Sequence, residues 1–320
     1  MSKPRLWITR KLSANTEARA KRDYDVILNP NDTLSSADDI VRMSKDVDAI
    51  IPCHSEHFDQ QTVARLDSRL KIVANHSVGV DHCDLDALRQ HGICVTNTPD
   101  VLSDATAEIA MLLLLGAARR AAEGDAMVRS GNWQSWSPSF MVGTQVTGKR
   151  MAIIGMGRVG QVMAKRARGF DMPVHYHSRT RLSSELEQGA TYHATIESLL
   201  PNADFLSLHC PATEQTQGII NADTLALLPD GAILVNTARG ALVDENALIS
   251  AIESGKLAAA GLDCFTTEPG GNPAFAAHNN IMMLPHIGSA TFETRDAMGF
   301  RALDNLDAFF SGKQPTDRLV

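Results

Sequence analysis

The chain has 320 residues, of which 44% are hydrophobic and 21% charged, the balance of a folded globular protein rather than a disordered or fibrous one. At roughly 100–200 residues per domain, this length predicts two cores. Thirty Lys and Arg against 37 Asp and Glu leave a net charge of −7, which offers no field for a phosphate polymer or an anionic bilayer, so neither nucleic acid nor a membrane is expected as a partner.

The opening residues Met1-Ser2-Lys3-Pro4-Arg5 carry no apolar signal core, and secretion is not expected. Five cysteines (Cys53, Cys83, Cys94, Cys210, Cys264) form no C-x-x-C pair, which predicts reduced thiols in a cytoplasmic protein. Cys53-His54 with His57, and His82-Cys83, match no zinc-ligand spacing, so no metal site is expected.

From residue 5 to about 95, short β-branched runs alternate with helix-compatible stretches: Leu6-Trp7-Ile8, Val26-Ile27-Leu28, Ala49-Ile50-Ile51, Ile72-Val73-Ala74 and Ile93-Cys94-Val95. This alternation predicts a parallel sheet covered by helices on both faces. After Pro99, an Ala-, Leu- and Met-rich segment capped by Ser103 or Asp104 predicts one helix through about Arg129. Its longest apolar run, Ile109 to Ala118, is too short to span a bilayer. Ser130 to Gly148, with Trp133, Trp136 and Pro138, fits neither period and reads as a long functional loop. Six further strands are predicted, within Met151–Ile154, Val174–Tyr176, Phe205–Leu208, Ile233–Val235, Ala259–Leu262 and Ile281–Leu284, enough for a complete dinucleotide-binding sheet. A closing helix, Thr291 to Ser311, follows the second sheet and is expected to cross back onto the first domain. The fold class is α/β, with two Rossmann-like, doubly wound parallel sheets. The predicted domains are 1–100 with 290–320, and 101–289.

Gly155-Met156-Gly157-Arg158-Val159-Gly160 is a G-x-G-x-x-G run directly after one predicted strand and opening the helix Gln161 to Arg168. The three glycines allow a tight turn, close approach of a pyrophosphate and helix–strand packing, which points to a dinucleotide cofactor. The next strand ends in His177-Ser178-Arg179-Thr180-Arg181, with no carboxylate until Glu185. A carboxylate there would bind the ribose 2′-hydroxyl of NAD. Hydroxyls of Ser178 and Thr180 and the guanidinium of Arg179 suit a 2′-phosphate, so NADP(H) is expected over NAD(H). Gly143-Thr144-Gln145-Val146-Thr147-Gly148-Lys149 has Walker A spacing, but Arg150 replaces the Mg²⁺-binding hydroxyl and the run precedes its strand, so an NTPase is rejected.

Three later strands end in polar residues: Asn236-Thr237-Ala238-Arg239-Gly240, Asp263 followed by Thr267-Glu268-Pro269, and Pro285-His286-Ile287-Gly288. Ligands of open α/β sheets bind at the carboxyl ends of strands, and this shared placement nominates Arg239, Glu268 and His286 for catalysis.

Together with Val73 to Asp84, Asp104-Ala105-Thr106-Ala107-Glu108 and Ser289-Ala290-Thr291, these motifs resemble the D-isomer-specific 2-hydroxyacid dehydrogenase family over almost the whole chain, in order. Gly131-Asn132-Trp133, Trp136-Ser137-Pro138 and Ser178-Arg179-Thr180 are most similar to the glyoxylate/hydroxypyruvate reductases of that family. The resemblance implies a flavodoxin-like substrate domain beside the dinucleotide-binding domain. It implies NADPH-dependent reduction of a small 2-oxo acid to a D-2-hydroxy acid. His286 is then the general acid, favoured in its protonated form by Glu268, and Arg239 clamps the carboxylate and polarises the ketone. Val78 and Gly79 would hold the substrate carboxylate through backbone N–H groups, and Asp263 the nicotinamide carboxamide. Thr106, Arg158, Val159, Cys210, Pro211, Thr237, Ala238 and Gly288 match cofactor-lining positions. Trp136 would reach the other subunit's substrate pocket in a homodimer.

Two departures touch substrate identity. His54 stands where related reductases tend to have an apolar pocket residue, and His82 where the family usually has Asn. Relatives of this fold also act as cofactor-sensing corepressors, so a sensing protein is the alternative, as is a dehydrogenase of a larger 2-oxo acid. Turnover of NADPH with glyoxylate separates enzyme from sensor. At this length, a further regulatory domain of the kind phosphoglycerate dehydrogenases often carry is not expected.

Overall fold

The computed structural model describes residues 3–320, which divide into two compact units, residues 3–102 with Ser289–Val320, and Ser103–Gly288. Among the described residues no helix is long and apolar enough to cross a membrane.

The first unit alternates β1 (Arg5–Ile8), α1 (Ala14–Asp23), β2 (Asp25–Ile27), α2 (Ala37–Ser44), β3 (Ala49–Ile51), α3 (Gln60–Val63), β4 (Ile72–Ala74), α4 (Leu85–Gln90) and β5 (Cys94–Thr96). All neighbours pair in parallel, in the order β2-β1-β3-β4-β5, the flavodoxin-like arrangement. Strands covered on both faces must be apolar throughout. Accordingly Trp7, Ile50, Val73 and Val95 fill one layer, while Leu6, Ile8, Ala49, Ile51, Ile72 and Ala74 fill the other. The closing helix, Phe292–Phe310, seals that second layer with Ala302, Leu303 and Leu306. It therefore belongs to the first unit, as its place in the sequence suggests.

The second unit opens with α5 (Ser103–Ala118) and α6 (Ala121–Arg129), where the sequence predicts one helix. Arg120 interrupts it in the left-handed region at φ 55°, and the returning chain donates from Thr144 N to Ala118 O at 2.8 Å. Arg120 then clamps Glu123 in the next turn at 2.8 Å. Nothing in the Ala-Ala-Arg-Arg-Ala-Ala run forecasts this break, because every residue in it is a competent helix former. Residues 130–150 are irregular, as expected, and both Trp133 and Trp136 lie on the surface.

The second sheet is built from β6 (Met151–Ile154), α7 (Arg158–Arg168), β7 (Val174–His177), α8 (Ser184–Glu187), β8 (Thr191–Tyr192), α9 (Ile196–Leu199), β9 (Phe205–Leu208), α10 (Ala222–Ala226), β10 (Ala232–Asn236), α11 (Glu245–Glu253), β11 (Leu257–Leu262) and β12 (Ile281–Met283). Its order is β12-β11-β10-β9-β6-β7-β8, parallel throughout. There are seven strands rather than six. The extra one, β8, is a two-residue edge strand with no apolar run of its own. Strand order reverses between β6 and β9, the position at which such sheets open a ligand crevice. Met151 and Ile153 face α5 and α7, while Ala152 and Ile154 face the layer of Leu225, Leu248 and Ile252.

Candidate active site

The glycine run sits at this reversal. Gly155 has φ 95°, and a Cβ on it would lie 2.5 Å from Cys210 N. The loop after β6 is thus pressed against the loop after β9 that carries Cys210 and Pro211. A Cβ on Gly160 would lie 2.1 Å from Gly155 O, so α7 packs too closely on the turn for any larger residue. A Cβ on Gly157 would meet nothing within 4 Å. Gly157 is also the N-cap of α7 and supplies no side-chain acceptor, which leaves the helix N-terminus, Arg158 and Val159 included, facing an open cradle of the kind that binds phosphate. The hydroxyl of Thr237 is buried and has no hydrogen-bond partner among the described residues. An open cradle and an orphaned hydroxyl fit a dinucleotide. Burial pushes the Cys210 thiol up to about 11, which keeps it neutral.

At the end of β7, Ser178 Oγ donates to Thr180 O at 2.7 Å, forming a tight polar turn. The two arginines that follow differ. Arg181 is bound to Glu187 at 2.8 Å and 3.1 Å, and Tyr176 OH donates to the same carboxylate. Arg179 is exposed, with no carboxylate partner among the described residues.

Three strand ends assemble the candidate chemistry. After β10, Asn236 Oδ1 accepts from Ala238 N at 3.0 Å and Asn236 Nδ2 donates to Arg239 O at 2.8 Å, fixing the turn that presents Arg239. The Arg239 guanidinium donates to Ala238 O at 2.7 Å. After β11, Phe265 N donates to Glu268 Oε1 at 2.7 Å, leaving Oε2 to meet His286 Nδ1 at 2.5 Å. The two side chains retain 29% and 23% of their accessible surface for His286 and Glu268, so the imidazole is reachable while its other nitrogen is held.

His286 itself adopts φ 52°, an uncommon conformation for a residue with a side chain. Asp263, wholly buried at the end of β11, braces this turn: its Oδ1 accepts from Ile287 N at 2.8 Å and its Oδ2 from Gly288 N at 2.7 Å. Burial raises the Asp263 carboxyl above its ordinary range, opposed by those two N–H donors and by His286. A Cβ on Gly288 would approach Asp263 Oδ2 to 3.2 Å and the Thr106 side chain to 3.4 Å, which sets Thr106 beside the same turn. The sequence nominates Asp263 as a cofactor contact, and its bracing of the histidine turn is the feature that reading missed.

In the first unit, the loop after β4 carries the other candidates. Asn97 Nδ2 donates to Val78 O at 2.9 Å and Ser77 Oγ to Gly79 O at 2.7 Å. With their carbonyls engaged, the N–H groups of Val78 and Gly79 have no acceptor among the described residues, a pair of adjacent donors suited to a carboxylate. His82 is not on this surface: it is buried, with Nε2 2.8 Å from Asn75 Oδ1. His54 is exposed in the loop after β3. That loop is anchored by the buried Glu56, which accepts from Thr9 Oγ1 at 2.6 Å, Cys53 N at 3.0 Å and Ser55 Oγ at 2.8 Å. Trp136 is 73% exposed.

Residues 111–288 match the family described as D-isomer specific 2-hydroxyacid dehydrogenase, NAD binding domain. The chain is 43% identical over 314 residues to a glycerate dehydrogenase of Hyphomicrobium methylovorum, covering 98% of each. It is 42% identical over 318 residues to a glyoxylate reductase of Pyrococcus furiosus, covering 98% of this chain and 94% of the relative. Among solved structures, an NADPH-dependent glyoxylate/hydroxypyruvate reductase from Sinorhizobium meliloti, in complex with NADP and malonate, superposes with a TM-score of 0.88 at 31% identity, covering 100% of this chain and 97% of that one. With both parallel sheets, the glycine loop and the Arg, Glu and His strand ends in place, the chain belongs to the D-isomer specific 2-hydroxyacid dehydrogenases.

Proposed function

We propose that this dehydrogenase reduces small 2-oxo acids, glyoxylate and hydroxypyruvate, to D-2-hydroxy acids, and that it prefers NADPH. The observation that carries the reading is the His286–Glu268 pair at 2.5 Å on a turn braced by Asp263. Relatives named as a glycerate dehydrogenase and a glyoxylate reductase support the substrate class.

The glycine loop from Gly155 to Gly160 would hold the cofactor pyrophosphate, Ser178, Arg179 and Thr180 the ribose 2′-phosphate, and Thr106, Cys210, Pro211, Thr237, Ala238, Asp263 and Gly288 the remainder. When bound, a nicotinamide supplies the hydride. Glu268 accepts from His286 Nδ1, which directs a proton on Nε2 outward for transfer to the alkoxide as it forms. Arg239 binds the substrate carboxylate and stabilises the developing oxyanion. The amides of Val78 and Gly79, which have no acceptor among the described residues, are assigned to a carboxylate of the substrate. His54 is assigned to the polar tail of the substrate, and Trp136 to limiting its bulk across a homodimer interface. A cytoplasmic location is supported by five cysteines that form no disulfide among the described residues.

The test is a panel of 2-oxo acids, from glyoxylate to phenylpyruvate, assayed for cofactor oxidation with NADPH and with NADH. The proposal expects the two-carbon and three-carbon acids with NADPH to give the highest kcat/KM. Turnover of none of them would overturn it.

A further inference from the structure

Outside the crevice, the second unit has a hollow of about 200 Å³ between α7 and the segment around α8. Its floor is apolar, formed by Met156, Val162 and Leu186, and its rim carries Lys165, Arg168 and Gln161. Leu186 is 48% exposed there, although the neighbouring α7 offers apolar surface that it does not fully cover.

Among the described residues the two cations at this rim have no counter-ion. Arg168 donates to Glu187 O at 2.7 Å and to Gln188 Oε1 at 3.5 Å, both neutral acceptors. Lys165 has no hydrogen bond or ion pair among the described residues. The local carboxylates do not neutralise them: Glu187 is taken by Arg181, and Glu185 makes no ion pair with either cation among the described residues. Burial pulls the Arg168 guanidinium below its ordinary value with nothing to offset it. In a chain with a net charge of −7, a half-buried arginine and a lysine without an acid between them form a local excess of positive charge. Partly desolvated cations gain most from an anion that also fills the adjoining apolar space.

The hollow is joined to the glycine loop. Met156 is a residue of that loop, and Gln161 Nε2 donates to Met156 O at 3.3 Å. We propose that this hollow is a second binding site for a small organic anion with a compact apolar body and one carboxylate, held by Lys165 and Arg168 and sensed by the glycine loop through Met156. A compact inorganic anion satisfies the cations and leaves the floor uncovered, and a neutral aromatic does the reverse.

Benzoate is the probe, followed by the ¹³C-methyl signal of Met156 in methionine-labelled protein held with excess NADPH, with benzamide and inorganic phosphate as comparisons. The expected result is a saturable shift with a dissociation constant on the order of 1 mM for a ligand of this size. It should be about tenfold weaker or more with benzamide or phosphate, and likewise in Lys165→Glu, where the loss of a charge-assisted contact is read directly. Lys165 is exposed, and Lys165→Ala serves as the milder variant should the reversal of charge disturb α7. A Met156 signal that does not move with benzoate would overturn the proposal. So would a shift that both lysine variants retain, or one that benzamide or phosphate reproduces at equal concentration.

Discussion

Asp263 and Gly288 are joined by a hydrogen bond of 2.7 Å from the Gly288 N–H to Asp263 Oδ2, paralleled by one of 2.8 Å from Ile287 to Oδ1. A buried carboxylate thus spans both N–H groups that follow His286 and holds that residue at φ 52°. Asp263 acts on the histidine through the backbone. Asp263→Ala is expected to lower kcat on the order of 10²-fold, since misplacing a catalytic group by about 1 Å has that effect. Asp263→Asn, whose carbonyl still accepts one N–H, is expected to recover part of the loss. Steady-state kinetics on both variants, with circular dichroism to check the fold, decide this: equal loss in the two would remove the bracing role.

The contrast between Arg179 and Arg181 gives a paired prediction. Among the described residues Arg179 is without a carboxylate partner, whereas Arg181 is committed to Glu187. Arg179→Ala is expected to weaken NADPH by about 1.5–3 kcal/mol, roughly one to two decades, and to leave NADH nearly unchanged. Arg181→Ala should instead lower the melting temperature, because the buried Glu187 carboxylate, which also accepts from Tyr176 OH, loses its cationic partner. Fluorescence titration with each cofactor reads the first effect and thermal denaturation the second.

His76 sets a pH dependence of stability in the first unit. It is 5% exposed, and burial, reinforced by Arg295, lowers its pKa to about 4. The unfolded chain takes up this proton near pH 6.5, the folded one only near 4. The folded state therefore binds fewer protons in that window, and the stabilisation present above pH 6.5 is lost as pH falls toward 4. The loss is on the order of 3 kcal/mol. Urea denaturation across this range should show it, and His76→Phe should flatten it.

Trp136 is 73% exposed in the single chain, in an irregular segment that also exposes Val142 at 64% and Trp133 at 55%. If it anchors a homodimer, Trp136→Ala should weaken association by about 2 kcal/mol or more. It should also relax discrimination against bulky 2-oxo acids more than it changes glyoxylate turnover. Sedimentation velocity at low concentration measures the first. An unchanged dimer together with an unchanged substrate range would dismiss the role.

Most strands were legible because a parallel strand buried on both faces must be a short apolar run, as Ala49–Ile51 and Phe205–Leu208 are. The glycine loop was legible because steric demands at Gly155 and Gly160 leave no other residue. The break at Arg120 was not, since a left-handed residue inside an Ala- and Arg-rich run has no local signal. Neither was β8, whose two residues gain their strand character only by pairing with His175 and Tyr176. At the site, the strand-end positions of Arg239, Glu268 and His286 were readable. The conformation of His286 and its brace by Asp263 were not, because they depend on the loop after β12 folding back over the end of β11.

The role proposed for His286 is to supply the proton in the reduction of a small 2-oxo acid. Its most direct test compares the unmutated chain with His286→Ala for NADPH oxidation by glyoxylate, alongside equilibrium binding of NADPH to both. Turnover is expected to fall by about 10²–10⁴-fold with cofactor binding retained, the range for loss of a general acid. Near-normal glyoxylate reduction by His286→Ala would contradict it.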